Sequence, residues 1–227
     1  MKHNILPLLI FTCVLCSFCM QTKKKIVFFG DSITEAGVQP QGYITKLAQT
    51  LDKDRLGNRY ELVGAGIGGN KVYDLYLRLE DDVLSKKPDA VVIWVGVNDV
   101  WHKRSFGTGT DADKFEKFYT ALIKKLKERK IDVFLCTPAV IGEKWDCTNE
   151  LDGELNSYSA IIRDLAQKNH CPLIDLRKEF LDYLKANNPD NKSRGILTTD
   201  GVHLNAAGNN FVAEKMYRVL SHDFIQP

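Results

Sequence analysis

The stretch AVVIWV at residues 90–95 constrains the fold more than any other, because it is apolar throughout and never alternates with polar residues. A strand with one wet face alternates, so an unbroken apolar run bounded by turn residues reads as a strand buried on both faces of a parallel sheet. A run of the same kind stands at 26–29 (IVFF), and further strands read at 132–137 (DVFLCT, stopped by Pro138) and, shorter, at 60–63 (YELV) and 173–175 (LID). Between them, apolar residues at three-to-four spacing predict helices over 43–51, 72–84, from 111 or 113 to 128, 150–168, 176–186 and 206–220. Strands alternating with helices define a single three-layer, doubly wound α/β domain with right-handed crossovers. We expect about five parallel strands in the order 2-1-3-4-5. A chain of 227 residues suits one such domain.

Composition narrows the partners. A hydrophobic fraction of 44% and a charged fraction of 26% are ordinary for a globular protein, and the net charge of +2 is spread along the chain. No basic patch marks a nucleic-acid partner. The amino terminus differs in kind: Lys2 and His3 precede an apolar run at 5–18, too short to span a bilayer and of the length of a signal-peptide core. Residues 1–21 are therefore read as a signal or lipoprotein targeting segment and 22–227 as the folded domain. Cys19 is the candidate for a lipid anchor, although Phe18 before it and Lys23, Lys24 and Lys25 after it fit an exported segment poorly. The expected location is periplasmic or secreted, anchored or free. Outside this segment Cys136 reads as a small core residue, while Cys147 and Cys171 are candidates for a bridge in an oxidising compartment. None has the paired spacing of a zinc site, and no metal or organic cofactor is implied.

Three turns then need a common explanation. The first strand runs into Gly30-Asp31-Ser32, the second into Gly64-Ala65-Gly66-Ile67-Gly68-Gly69-Asn70, and the third into Gly96-Val97-Asn98-Asp99. In the order 2-1-3 these strands are neighbours roughly 4.8 Å apart, so the turns meet at one sheet edge. Asp31 or Ser32 capping a helix would explain the first turn alone. Acyl transfer explains all three: a serine nucleophile, a glycine whose backbone N–H can approach an oxyanion, and an asparagine amide as a further donor. The base should be a histidine, which takes and returns protons near neutral pH. Of five histidines, His3 and His222 lie near the chain ends, His170 follows a charged helix end, and His102 lacks an orienting acid beyond Asp99. His203 has Asp200 three residues before it, a spacing at which a carboxylate can hold Nδ1 and leave Nε2 for Ser32.

FFGDSIT around Ser32, GIGGN around Gly69, GVND around Asn98 and DGVH around His203 resemble, in order and separation, the SGNH (GDSL-type) esterase and lipase family. The likeness spans residues 26 to about 220. It implies a flavodoxin-like sheet, Ser32 as nucleophile, Asp200 and His203 as the rest of a triad, and an oxyanion hole made by Ser32, Gly69 and Asn98. Gly66, Gly68 and Gly69 compete for the glycine position, and Gly69 fits best because it precedes Asn70 in the turn. Asp31 and Asp99 read as neighbours that orient the turns.

Two rivals are weaker. The G-x-S-x-G elbow of α/β-hydrolases needs glycine where Thr34 stands. A non-catalytic nucleotide-binding module could use Gly64, Gly66 and Gly69 as a phosphate cradle, but no strand ending in an acid follows about twenty residues on. The expected substrate is a short-chain ester, with O-acetyl groups on carbohydrate preferred and lysophospholipase or thioesterase activity as alternatives. Trp101, Phe106 and Trp145 are candidates for an aromatic wall against a sugar ring, with His102 beside them. Packing of their loops would account for these aromatics equally well.

Overall fold

The computed structural model describes residues 22–226, so the targeting segment read at 1–21, Cys19 included, lies outside the described residues. Strand β1 (Lys24–Gly30) pairs in parallel with β2 (Tyr60–Gly66) on one side and β3 (Ala90–Trp94) on the other. β4 (Asp132–Cys136) and β5 (Leu173–Ile174) extend the sheet, giving the order 2-1-3-4-5 that the sequence implies. Gly30 is in register with Gly66 and with Trp94, so the three central strands end level and release their turns at one edge.

The non-alternating strands do what such strands must, which is to feed two cores. From β1, Ile26 and Phe28 enter one layer with α2 (Tyr43–Lys53), α7 (Leu176–Asn187) and α8 (Ala206–Asp223). Val27 and Phe29 enter the other with α3 (Val72–Asp82), α5 (Ala112–Glu128) and α6 (Asp152–Lys168). All four side chains are buried, and each contributes about 1.5–3 kcal/mol of transfer free energy.

The structure departs from the sequence reading in four places. Two helices leave the strand ends directly where turns are expected: α1 (Ser32–Gly37) after β1, and α4 (Val97–Ser105) after β3. α1 is too short to show a period, and in α4 the consecutive residues Val97, Asn98, Asp99 and Val100 are all buried, which erases the apolar–polar rhythm. β2 runs on through Gly64 and Ala65 to Gly66, because β1 offers it partners from Phe28 to Gly30. Cys147 and Cys171 form no bridge; together with Cys136 they are free thiols, Cys147 exposed and Cys171 buried.

Candidate active site

The site starts from a buried cap. Asp31 accepts the Ile33 N–H at 3.0 Å and so begins α1, making Ser32 the first helical residue, whose own N–H has no partner within the helix. Burial pushes the Asp31 carboxyl up to about 6, against the pull of the Ile33 N–H and the nearby His203. Ser32 Oγ lies 3.0 Å from His203 Nε2, and His203 Nδ1 lies 2.7 Å from Asp200 Oδ2. The other Asp200 oxygen accepts the N–H groups of Val202 at 2.9 Å and His203 at 2.8 Å. Partial burial would raise the Asp200 carboxyl, but these bonds, the His203 ring first, outweigh it and hold the group below the usual carboxylate value. This network assigns the proton to Nδ1 and leaves the Nε2 lone pair facing the serine hydroxyl.

The glycine-rich turn separates its candidates by geometry. A Cβ at Gly66 would sit 2.0 Å from the Glu35 nitrogen, so this glycine lets α1 pack on β2. The Gly68 N–H is engaged, donating to the Glu35 carboxylate at 2.9 Å. A Cβ there would lie 3.9 Å from Ser32 Cβ, so the turn passes over the serine. Gly69 adopts φ +75°, a conformation that L side chains rarely take, and among the described residues its N–H has no partner. The buried Asn98 amide donates to the Asn70 carbonyl at 3.1 Å, which occupies one of its two N–H bonds. Ser32, Gly69, Asn98, Asp200 and His203 thus converge from four separate turns.

Two residues that sequence reasoning missed brace this edge. Arg78, on α3, donates to the Gly30 carbonyl at 2.7 Å, the Ala65 carbonyl at 2.9 Å and the Asn70 side chain at 2.7 Å, with its guanidinium over the Phe29 ring. The only sequence signal was an arginine on an otherwise apolar stretch of helix. Lys71, nearly buried, donates to the Gly69 carbonyl at 2.9 Å. Asp99 accepts the Val72 N–H at 3.1 Å and so ties α3 to α4; burial raises its carboxyl to about 7.

The candidate lining residues divide. His102 lies on α4 with its ring 3.8 Å from where a Gly69 Cβ would be, and Phe106, 69% exposed, meets it edge-on at 4.8 Å. Trp101 packs against both cores. Trp145 packs against one of them, and its indole N–H donates to the Asn188 carbonyl at 2.9 Å. Among the described residues no cluster of side chains could hold a metal ion.

A serine, histidine and aspartate joined in sequence at the carboxyl edge of an open parallel sheet, beside unpaired backbone donors, have the arrangement of a serine ester hydrolase. The chain belongs to the GDSL-like lipase/acylhydrolase family, whose model matches residues 28–211, and it is a carboxylic ester hydrolase. A solved acetyl xylan esterase, AlAXEase, is 65% identical, with a TM-score of 0.86 over 87% of this chain and 100% of its own. The acetylxylan esterase of Geobacillus stearothermophilus is 28% identical over 89% of this chain and 96% of its own length. An uncharacterized lipoprotein of Bacillus subtilis, YqeF, is 26% identical over 94% of this chain and 96% of its own.

Proposed function

We propose that this protein removes acetyl groups from carbohydrate, with xylan-type polymers as the substrate class, through an acyl-enzyme on Ser32. The observation that carries the chemistry is the 3.0 Å approach of Ser32 Oγ to a His203 ring held through Nδ1 by Asp200. His203 takes the Ser32 proton as Oγ attacks the acetyl carbonyl. The resulting oxyanion is met by the N–H groups of Ser32 and Gly69 and by the Asn98 amide. The sugar alcohol leaves with the proton from His203, and water activated by the same ring releases acetate and regenerates the hydroxyl.

Two features support a bulky alcohol. The relatives with assigned names include two acetylxylan esterases, one of them 65% identical. The His203 and Asp200 side chains are 38% and 47% exposed, so the ester is met at an open surface that a polymer chain can reach. Phe106 and His102 then form the exposed aromatic edge against which a sugar ring can lie. The purified protein should release acetate from acetylated xylo-oligosaccharides and hydrolyse p-nitrophenyl acetate, with rates falling as the acyl chain lengthens. Ser32→Ala and His203→Ala should each lower kcat by about 10⁴- to 10⁶-fold, and Asp200→Ala by less. Undiminished hydrolysis in both Ser32→Ala and His203→Ala would end this reading.

We also propose export through residues 1–21, with Cys19 as the lipid attachment point. The lipoprotein relative in Bacillus subtilis supports this placement.

A further inference from the structure

Glu143 follows β4 in the loop after Pro138, has no exposed surface, and belongs to none of the motifs that carry the family likeness. Its carboxylate accepts three consecutive backbone N–H groups: Ile196 at 2.7 Å on one oxygen, and Leu197 at 2.6 Å and Thr198 at 2.7 Å on the other. Among the described residues no lysine, arginine or histidine pairs with it. A carboxylate removed from water costs several kcal/mol unless its oxygens are fully met, and here backbone donors from a single segment meet them. Such charge-assisted bonds are the short, strong kind, so the segment is held tightly where the charge sits.

The segment is the one that leads into the acid and base. Thr198 Oγ1 accepts the Gly201 N–H at 3.0 Å, the Thr199 N–H donates to the His203 carbonyl at 2.8 Å, and Thr198 bridges Leu204 antiparallel. Gly142, the neighbour of Glu143, donates its N–H to the Gly201 carbonyl at 2.8 Å. The 142–143 pair therefore grips the Asp200–His203 hairpin at its base and at its tip. Glu143 is itself fixed, since its N–H donates to the Ser193 carbonyl at 2.9 Å and its carbonyl accepts the Asn188 amide at 2.9 Å.

We propose that Glu143 is a positioning residue for catalysis, resting on the triad reading above: its buried charge sets the hairpin so that His203 Nε2 meets Ser32. A displacement of about 1 Å in a catalytic group can cost on the order of 10²-fold in rate. In the full chain, Glu143→Gln keeps the shape, removes the charge and turns an acceptor into a donor facing an N–H. Glu143→Asp keeps the charge and retracts it by one methylene.

Both variants should be titrated with a phosphonate ester that labels the active serine, then assayed on p-nitrophenyl acetate across pH. Per labelled site, kcat should fall about 10- to 100-fold with KM changed less than about threefold. The acid limb of kcat/KM should move to lower pH as Asp200 loosens from the ring; Asp31, which also feels the His203 charge, is unaltered in each variant. Glu143→Asp reports in the same way if Glu143→Gln does not fold. A wild-type kcat per labelled site and an unmoved acid limb, even with a lowered Tm, would overturn the proposal. Ser32→Ala run alongside separates the two readings: hydrolysis surviving in Ser32→Ala defeats the triad itself, whereas an inactive Ser32→Ala beside a normal Glu143→Gln defeats only the positioning role.

Discussion

Asp31 sits one residue before the proposed nucleophile, fully enclosed, with a carboxyl raised from 3.8 to about 6 by burial. The sign of its effect on stability follows from that direction. Between these values the folded chain holds the proton more tightly than the unfolded chain, so stability falls as pH rises through the window and levels off above it. Asp31→Asn keeps an N-capping oxygen for the Ile33 N–H but cannot ionise. The variant should match the wild type near pH 4 and be more stable above pH 7, by up to about 3 kcal/mol. Urea denaturation at the two pH values checks this; parallel curves would show that the carboxyl does not titrate there. Asn98→Ala should lower kcat by about 10²- to 10³-fold with little change in KM, because it removes the proposed oxyanion donor along with the tie to Asn70. These residues were legible because each stands just past a strand end, where polar groups interrupt an apolar run. Glu143 and Arg78 were not: Glu143 is met by backbone N–H groups far along the chain, Arg78 reaches the carbonyls of two strands besides the Asn70 side chain, and no motif marks either.

At the scale of elements, the site is an agreement among strand ends, and α3 enforces it through one side chain. Arg78 joins the carbonyl of Gly30 on β1, that of Ala65 on β2, and Asn70, whose own carbonyl receives the Asn98 amide from α4. Lysine carries the charge but lacks the planar fork, so it cannot serve these acceptors together. Arg78→Lys should lower Tm by several degrees and kcat by about 10-fold or more, with KM less affected; thermal melts and steady-state kinetics on p-nitrophenyl acetate measure both. A normal kcat beside a lowered Tm would confine Arg78 to stability. The central strands β1 and β3 announced themselves by unbroken apolar runs, and the long helices by their period. α1 and α4 did not, because their faces are buried or their length is too small to show a rhythm, and they are the two helices that present Ser32 and Asn98.

Over the whole molecule, buried strands and right-handed crossovers dictate a doubly wound parallel sheet, and its order 2-1-3-4-5, which the family likeness implies, brings turns from distant parts of the chain to one edge. Among the described residues the sheet begins at Lys24. The Lys24 N–H already bonds the Arg59 carbonyl at 2.8 Å, and β1 starts at that residue, three positions beyond the proposed targeting segment. On the proposed targeting reading, residues 1–21 serve delivery and leave catalysis to the rest. A chain of residues 22–227 should retain the kcat/KM and Tm of the full-length protein on p-nitrophenyl acetate; a large loss of either would make the segment part of the working fold. If Cys19 carries a lipid, the full-length protein made in a bacterial host should take up labelled palmitate and partition into the detergent phase. Cys19→Ser should lose the label and shift to the aqueous phase while its hydrolytic rate stays unchanged. The same partition in both forms would place the anchor elsewhere or remove it, and would leave the sheet-edge chemistry untouched.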